Sequence, residues 1–199
     1  MLSSISPLGE RARASRWWVT TAAYLLGSLA GGLALGLLAG SLGSLLPAAW
    51  RGSAPALGLA AALLLLGLWL DLRSGGHGVP SWRRQVDEQW LGRYRGWVYG
   101  VGFGAQLGFG LVTIVTSTTT YAAVLLAVLS GSPAAGLAIG GVFGLVRALP
   151  SVLLAGVHTP QQLHRVFSRV EQWTKPTDVV ARVAVAASAA ALAVAALGS

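Results

Sequence analysis

Five stretches of the chain are almost continuously apolar, at about residues 17–46, 54–72, 96–129, 133–157 and 179–197. Each exceeds the roughly 18 apolar residues expected of a bilayer-crossing helix. Polar segments separate them. The pattern predicts an all-α integral membrane protein, a polytopic bundle of about five transmembrane helices in a single membrane domain over residues 1–199.

Two of the stretches are too long for one straight crossing. At the rise of an α-helix, the first reaches roughly 45 Å and the third roughly 50 Å. The hydrocarbon core is about 30 Å thick. These helices either tilt or extend past the membrane, or their backbones are interrupted. An interruption is tolerated only where the freed backbone groups are buried in protein or line a wet cavity. The last stretch, "ARVAVAASAAALAVAALGS", is rich in Ala and Val and reads as a peripheral helix packed by small side chains.

The connecting segments set an orientation. Arg11, Arg13 and Arg16 precede the first stretch, and Arg51 alone follows it. Arg73, Arg83, Arg84, Arg93 and Arg95 follow the second, whereas no Lys or Arg follows the third. Arg165, Arg169, Lys175 and Arg182 follow the fourth, and the C-terminal end has none. Because basic residues stay on the inner side, this alternation predicts an N-terminus inside and a C-terminus outside. Trp17, Trp18, Trp69, Trp97 and Trp173 then fall near inner boundaries and Trp50 near the outer one, where an amphipathic indole prefers to sit. In "VPSWRRQVDEQWLGRYRGW", Trp82, Val86 and Trp90 recur at helical spacing. Residues 80–94 are either an interfacial helix lying on the inner surface or a solvated loop that packs its tryptophans.

Composition narrows the function classes. Hydrophobic residues make up 54% of the chain and charged ones 10%, well below a soluble domain. The net charge of +8 is carried by arginines beside apolar runs, so it reports orientation in a bilayer and no nucleic-acid partner. There is no cysteine, which excludes disulfides, thiolate metal sites and thiol redox chemistry. His77, His158 and His164 match no metal spacing, so no metal or other cofactor is expected. No phosphate loop, nucleophile elbow or paired intramembrane carboxylates are present, and an enzyme is not expected.

Candidate function gathers in the third and fourth stretches. Gly100, Gly104 and Gly108 recur every four residues along one helix face. Such a row lets helices pack closely, or lets a backbone open. Beyond it comes "VTIVTSTTTY", in which Thr113, Thr116, Ser117 and Thr120 fall at i, i+3, i+4 and i+7. On a helix that is one polar face, directed at a neighbour or a cavity. These hydroxyls either bond carbonyls one turn back or form a binding site. The run of β-branched residues near mid-span favours local unwinding, and discontinuous helices at the midplane hold the substrate sites of many transporters. Gln106 and Arg147 are further polar candidates. Arg147 lies deep in its stretch, so it either snorkels to the interface or faces a partner such as Asp71 or a cavity. Pro150, three residues on, is expected to kink that helix. Finally, "RWWVTTAAYLLGSLAGG" and "RGWVYGVGFGAQLGFGL" form a faint repeat whose two copies enter the membrane from the same side.

The segment from "RGWVYGVGFGAQLGFG" through "GLVRALPSVLLAG", residues 95–156, resembles the membrane domain of the CcdA/DsbD cytochrome c biogenesis family, within the wider LysE-like transporter superfamily. The likeness lies in a glycine-rich entry, a mid-helix break and a further helix closing on Leu-Pro. That family's electron carriers need a cysteine beside proline in the broken helix, and here the region reads "VTIVTSTTTY". The resemblance therefore implies architecture without thiol–disulfide electron transfer. It implies a small transporter-like protein of a bacterial inner membrane, moving a solute, ion or metal through a mid-membrane polar site. The alternative is a non-transporting subunit that anchors or assembles a larger membrane complex. Five crossings instead of the family's six leave room for a homodimer or a partner membrane protein, beside the lipid bilayer itself.

Overall fold

Helix boundaries follow from local chemistry at each end. The computed structural model describes residues 7, 16–74, 95–110, 117–155 and 157–199. It places α1 at Trp17–Ser44, a four-residue α2 at Ala48–Arg51, α3 at Ala54–Ser74, α4 at Gly96–Phe109, α5 at Thr119–Ser130, α6 at Pro133–Ala148 and α7 at Pro160–Leu197. Pro47 closes the turn after α1, where it caps α2. Gly131, at φ +55°, ends α5, and the Ser132 hydroxyl then accepts the Ala135 N–H at 3.3 Å to start α6 with Pro133 in its first turn. Arg51 ties this end of the bundle together. Its Nε donates to the Leu46 carbonyl at 3.2 Å and its Nη1 to the Leu129 carbonyl at 3.4 Å.

The bundle is organised around α1, which is lined with glycine on two sides. On one side Gly27 and Gly31 lie against the backbone of Val101, Ala105 and Phe109 in α4. On the other, Gly32, Gly36 and Gly40 lie against Gly144, Gly140, Gly136 and Ser132 around α6. Gly43 meets Val128 of α5. At every one of these positions a Cβ would strike backbone, so the helices touch main chain to main chain. In a bilayer, where lipid tails are as apolar as leucine, such close packing is what drives helices together. The register shows that α4 runs parallel to α1 and α6 antiparallel. The two halves of the faint repeat therefore lie side by side in parallel. Ser28 sits at the junction of all three helices, fully buried, with its hydroxyl donating to the Gly144 carbonyl at 2.7 Å.

The outer face is apolar. Leu26, Leu42, Leu59, Val142 and Val194 are all more than half exposed. A soluble protein does not present so much unbroken apolar surface, and here it faces lipid. Four described helices are long and apolar enough to cross a membrane: Trp17–Ser44, Ala54–Arg73, Pro133–Leu154 and Pro160–Leu197. The chain is thus a polytopic helical membrane protein.

The long stretches resolve differently. The first is one unbroken helix of 28 residues, reaching roughly 42 Å. The third is broken into α4 and α5. In the fourth, the α-helix ends at Ala148 and the chain tightens into a 3-10 helix, Leu149–Leu154, in which the Ser151 hydroxyl donates to the Ala148 carbonyl at 2.7 Å. The helix that contains the fifth stretch begins at Pro160, ahead of the apolar run at 179–197. Thr159 and Gln162 form a capping box there, each side chain accepting the other's backbone N–H at 3.3 and 3.1 Å. Hydropathy misses this half because residues 160–178 are polar, whereas a capped helix needs no lipid to start. Pro176 sits inside α7, and the Thr177 hydroxyl donates to the Trp173 carbonyl beside it at 2.7 Å. α7 buries little. Its Val185 and Ala189 pack on Leu64 of α3 and Ala122 of α5. The expected interfacial helix at 80–94 lies outside the described residues.

Candidate functional site at the broken helix

α4 stops at a glycine. Gly110 adopts φ +71°, a left-handed conformation that costs other residues energy, and its N–H donates to the Gln106 carbonyl at 3.3 Å. Gly100 of α4 lies against Thr20 of α1, Gly104 against Tyr24 and Gly108 against Ser28. Phe109 and Gly31 meet near the middle of α1. The break therefore falls at about half the height of the bundle's central helix. The second half, α5, starts only at Thr119. Ahead of it the Ser117 hydroxyl oxygen accepts the Thr119 N–H at 3.3 Å, a side-chain turn that competes with helix.

Two charges attend the two ends of the break. Arg147 reaches from α6 to the C-terminal end of α4, where a side chain on Gly110 would meet its Nη1 at 3.2 Å. The same Nη1 donates to Thr120 Oγ1, in the first turn of α5, at 3.3 Å. The guanidinium carbon lies 5.3 Å from the centre of the Phe143 ring. A cation at a helix C-terminus is favoured because the free carbonyls there carry a partial negative charge. Asp71 reaches from α3 to the other end. Its Oδ2 accepts the Thr118 N–H at 2.8 Å, just before α5. An anion at a helix N-terminus is favoured for the converse reason. At the described edges of the break the Gly110 and Thr118 N–H groups are thus met by protein groups, as an interruption within a membrane requires.

The candidates of the sequence divide accordingly. Arg147, Thr120 and the Gly110 break come together. Ser117 is half-buried and precedes α5, so it does not share a helical face with Thr120. Thr113 and Thr116 lie outside the described residues. Gln106 is half-buried on α4 and contributes its carbonyl to the cap at Gly110. Gly100, Gly104 and Gly108 lie on the face of α4 that meets α1. Arg147 finds Thr120, and Asp71 takes the opposite end of the break. Thr118, Tyr24 and Ser28 were not singled out by sequence reasoning. For Ser28 a signal exists, because it sits between Gly27 and Gly31 in a row of small residues. For Thr118, 47 residues from Asp71, none does. A cavity of about 390 Å³ opens between α3 and α5, walled by Leu63, Leu66, Gly67, Thr118, Tyr121 and Val124.

A helical bundle whose third apolar stretch breaks at mid-height, with Arg147 at one end of the break and Asp71 at the other, defines a class of polytopic membrane protein built on a discontinuous helix. Within that class the chain belongs to the family of the cytochrome C biogenesis protein transmembrane region, which it matches over residues 2–192. The likeness therefore covers nearly the whole chain and is not confined to residues 95–156. Methylamine utilization protein MauF of Paracoccus versutus is 32% identical over 202 aligned residues, covering 98% of this chain and 71% of that protein. MauF of Paracoccus denitrificans is 34% identical over 157, covering 75% of this chain and 54% of that protein. No solved structure matches the chain.

Proposed function

We propose that this chain is a transport-type member of its family, passing a small solute or ion through the broken helix. The reading places it in a bacterial inner membrane with the N-terminus inside and the C-terminus outside, in service of redox-protein maturation. The family's cytochrome c biogenesis and the relatives' methylamine utilization supply that setting. Kinship with the LysE-like superfamily, which the sequence resemblance implies, agrees with it. Thiol–disulfide relay needs a thiolate nucleophile, and the chain has no cysteine.

The carrying observation is Arg147, whose Nη1 lies beside Gly110 at one side of the break and donates to Thr120 at the other. An intramembrane arginine is costly unless it faces a partner or a pathway. Discontinuous helices near the midplane, with helix ends and polar groups converging, are where secondary transporters bind substrate and ions. The protruding half of α7, with Arg165, Arg169 and Lys175 exposed, favours a second reading, that of a docking subunit for a larger complex.

The absence of native cysteine makes the test direct. Thr120→Cys and Ser117→Cys are each probed with a membrane-impermeant maleimide in sealed vesicles, with the lipid-facing Leu59→Cys as control. A pathway predicts labelling of Thr120→Cys and Ser117→Cys from an aqueous side, lost or slowed when Arg147→Gln is added. If both positions stay as unreactive as the control from either side, the break is dry and the docking reading stands instead.

A further inference from the structure

Two buried oxygens lack a partner at a single contact. Asp71 is 4% exposed and Thr118 1%. Their one hydrogen bond, from the Thr118 N–H, occupies Asp71 Oδ2. Asp71 Oδ1 and Thr118 Oγ1 are both buried with no hydrogen-bond partner among the described residues. Buried polar atoms are nearly always paired, and a buried charge with an open oxygen is costly. Among the described residues no ion pair offsets it. Arg73, two residues on, is exposed, with its guanidinium 5.1 Å from the centre of the Trp69 ring. Arg147 is held by Thr120 and Phe143. Gly67 of α3 lies directly against the Thr118 side chain, where a Cβ would meet its Cγ2 at 2.5 Å and its Oγ1 at 2.9 Å. Tyr121 stands one turn further along α5.

We propose that Asp71 and Thr118 hold a small monovalent cation, sodium or a proton, between the end of α3 and the start of α5. One carboxylate balances one positive charge. No set of three His, Cys, Asp or Glu side chains gathers among the described residues, so a divalent or transition ion lacks its ligands. The site sits where it can act. The carboxylate that would hold the cation also caps α5, and neutralising it weakens its attraction to the helix N-terminus. Filling the site therefore loosens one side of the break. The coupling rests on the transport reading, whereas the binding does not.

The test reads binding and not flux, so the two readings fail separately. Full-length protein in lipid nanodiscs is melted in sodium and in choline at equal ionic strength. Its carboxyl infrared band is followed across pH in the wild type, Asp71→Asn and Thr118→Val. Sodium at a hundredfold excess over its dissociation constant raises Tm by about 5–10 °C over choline. That rise disappears in Asp71→Asn and shrinks in Thr118→Val. If the cation is a proton, the wild type shows a protonated-carboxyl band that Asp71→Asn lacks and Thr118→Val displaces. Asparagine keeps an oxygen for the Thr118 N–H, and valine keeps the N–H itself, so both retain the cap. Absence of both a sodium shift and a band removed by Asp71→Asn overturns the proposal. If Asp71→Asn fails to fold, an unchanged sodium shift and an unchanged band in Thr118→Val overturn it.

Discussion

A methyl group at Gly36 should force α1 and α6 apart. A Cβ there meets the Gly136 carbonyl carbon at 2.8 Å and Gly140 Cα at 2.9 Å, with the Gly136 oxygen closer still. Ordinary van der Waals contact begins at 3.4 Å, so the seam must open by at least 0.6 Å (3.4 − 2.8). The obstructing atoms are all backbone, and no rotamer change relieves them. Helices are stiff, so the opening spreads to Gly32 against Gly140 and Gly40 against Ser132. Overpacking costs up to about 3 kcal/mol, and alanine returns up to about 1 kcal/mol in helix propensity over glycine. The net loss for Gly36→Ala is about 2 kcal/mol, a Tm fall of roughly 4–8 °C for a chain of this size. Gly58 of α3 has nothing within 4 Å of its Cβ position, so Gly58→Ala keeps only the propensity gain and should melt at or above the wild-type temperature. Thermal unfolding in detergent, followed by the fluorescence of the 8 tryptophans, reads both variants. A Gly36→Ala protein that melts as high as Gly58→Ala would show that the two backbones do not touch, and the seam would be wrong.

Two further substitutions probe the centre of the bundle. Ser28→Ala removes the 2.7 Å bond to the Gly144 carbonyl at the three-helix junction. Interhelical bonds of this kind contribute about 1 kcal/mol in membranes, so Tm should drop by roughly 2–4 °C, and an unchanged Tm would show the bond to be energetically idle. Gly110→Ala places a Cβ in a left-handed conformation and 3.0 Å from Phe143. The backbone term alone costs about 1–2 kcal/mol. Tm should fall accordingly, and maleimide labelling of Thr120→Cys should change with it; a variant identical to wild type in both would mean that the break does not depend on Gly110.

Much of the architecture was legible because it depends on local or solvent terms. Transfer of apolar surface into lipid marked the crossing stretches residue by residue. Length against bilayer thickness flagged the first and third as anomalous, although it could not say which would break. The four-residue spacing of Gly100, Gly104 and Gly108 was visible. The same spacing in Gly32, Gly36 and Gly40, and in Gly136, Gly140 and Gly144, was equally visible. The start of α7 was also written locally, in Thr159, Pro160 and Gln162, under a polar composition that hydropathy discounts. The hydroxyl face drawn through Thr113, Thr116, Ser117 and Thr120 presupposed a continuous helix. A glycine two residues ahead of "VTIVTSTTTY" ends α4, and of these four hydroxyls Ser117 and Thr120 lie among the described residues.

Sequence alone determined that this chain lives in a membrane as helices, that it contains no cysteine, and that glycine would bring some helices close. These follow from composition and spacing, whose energies are set within a turn or by the solvent. Only the tertiary structure decided where the polar groups go. Asp71 and Thr118 meet across 47 residues, and Arg147 meets Thr120 across 27. Each charge is drawn to the end of a broken helix by an electrostatic field that exists only once that helix has been broken and the bundle packed around α1.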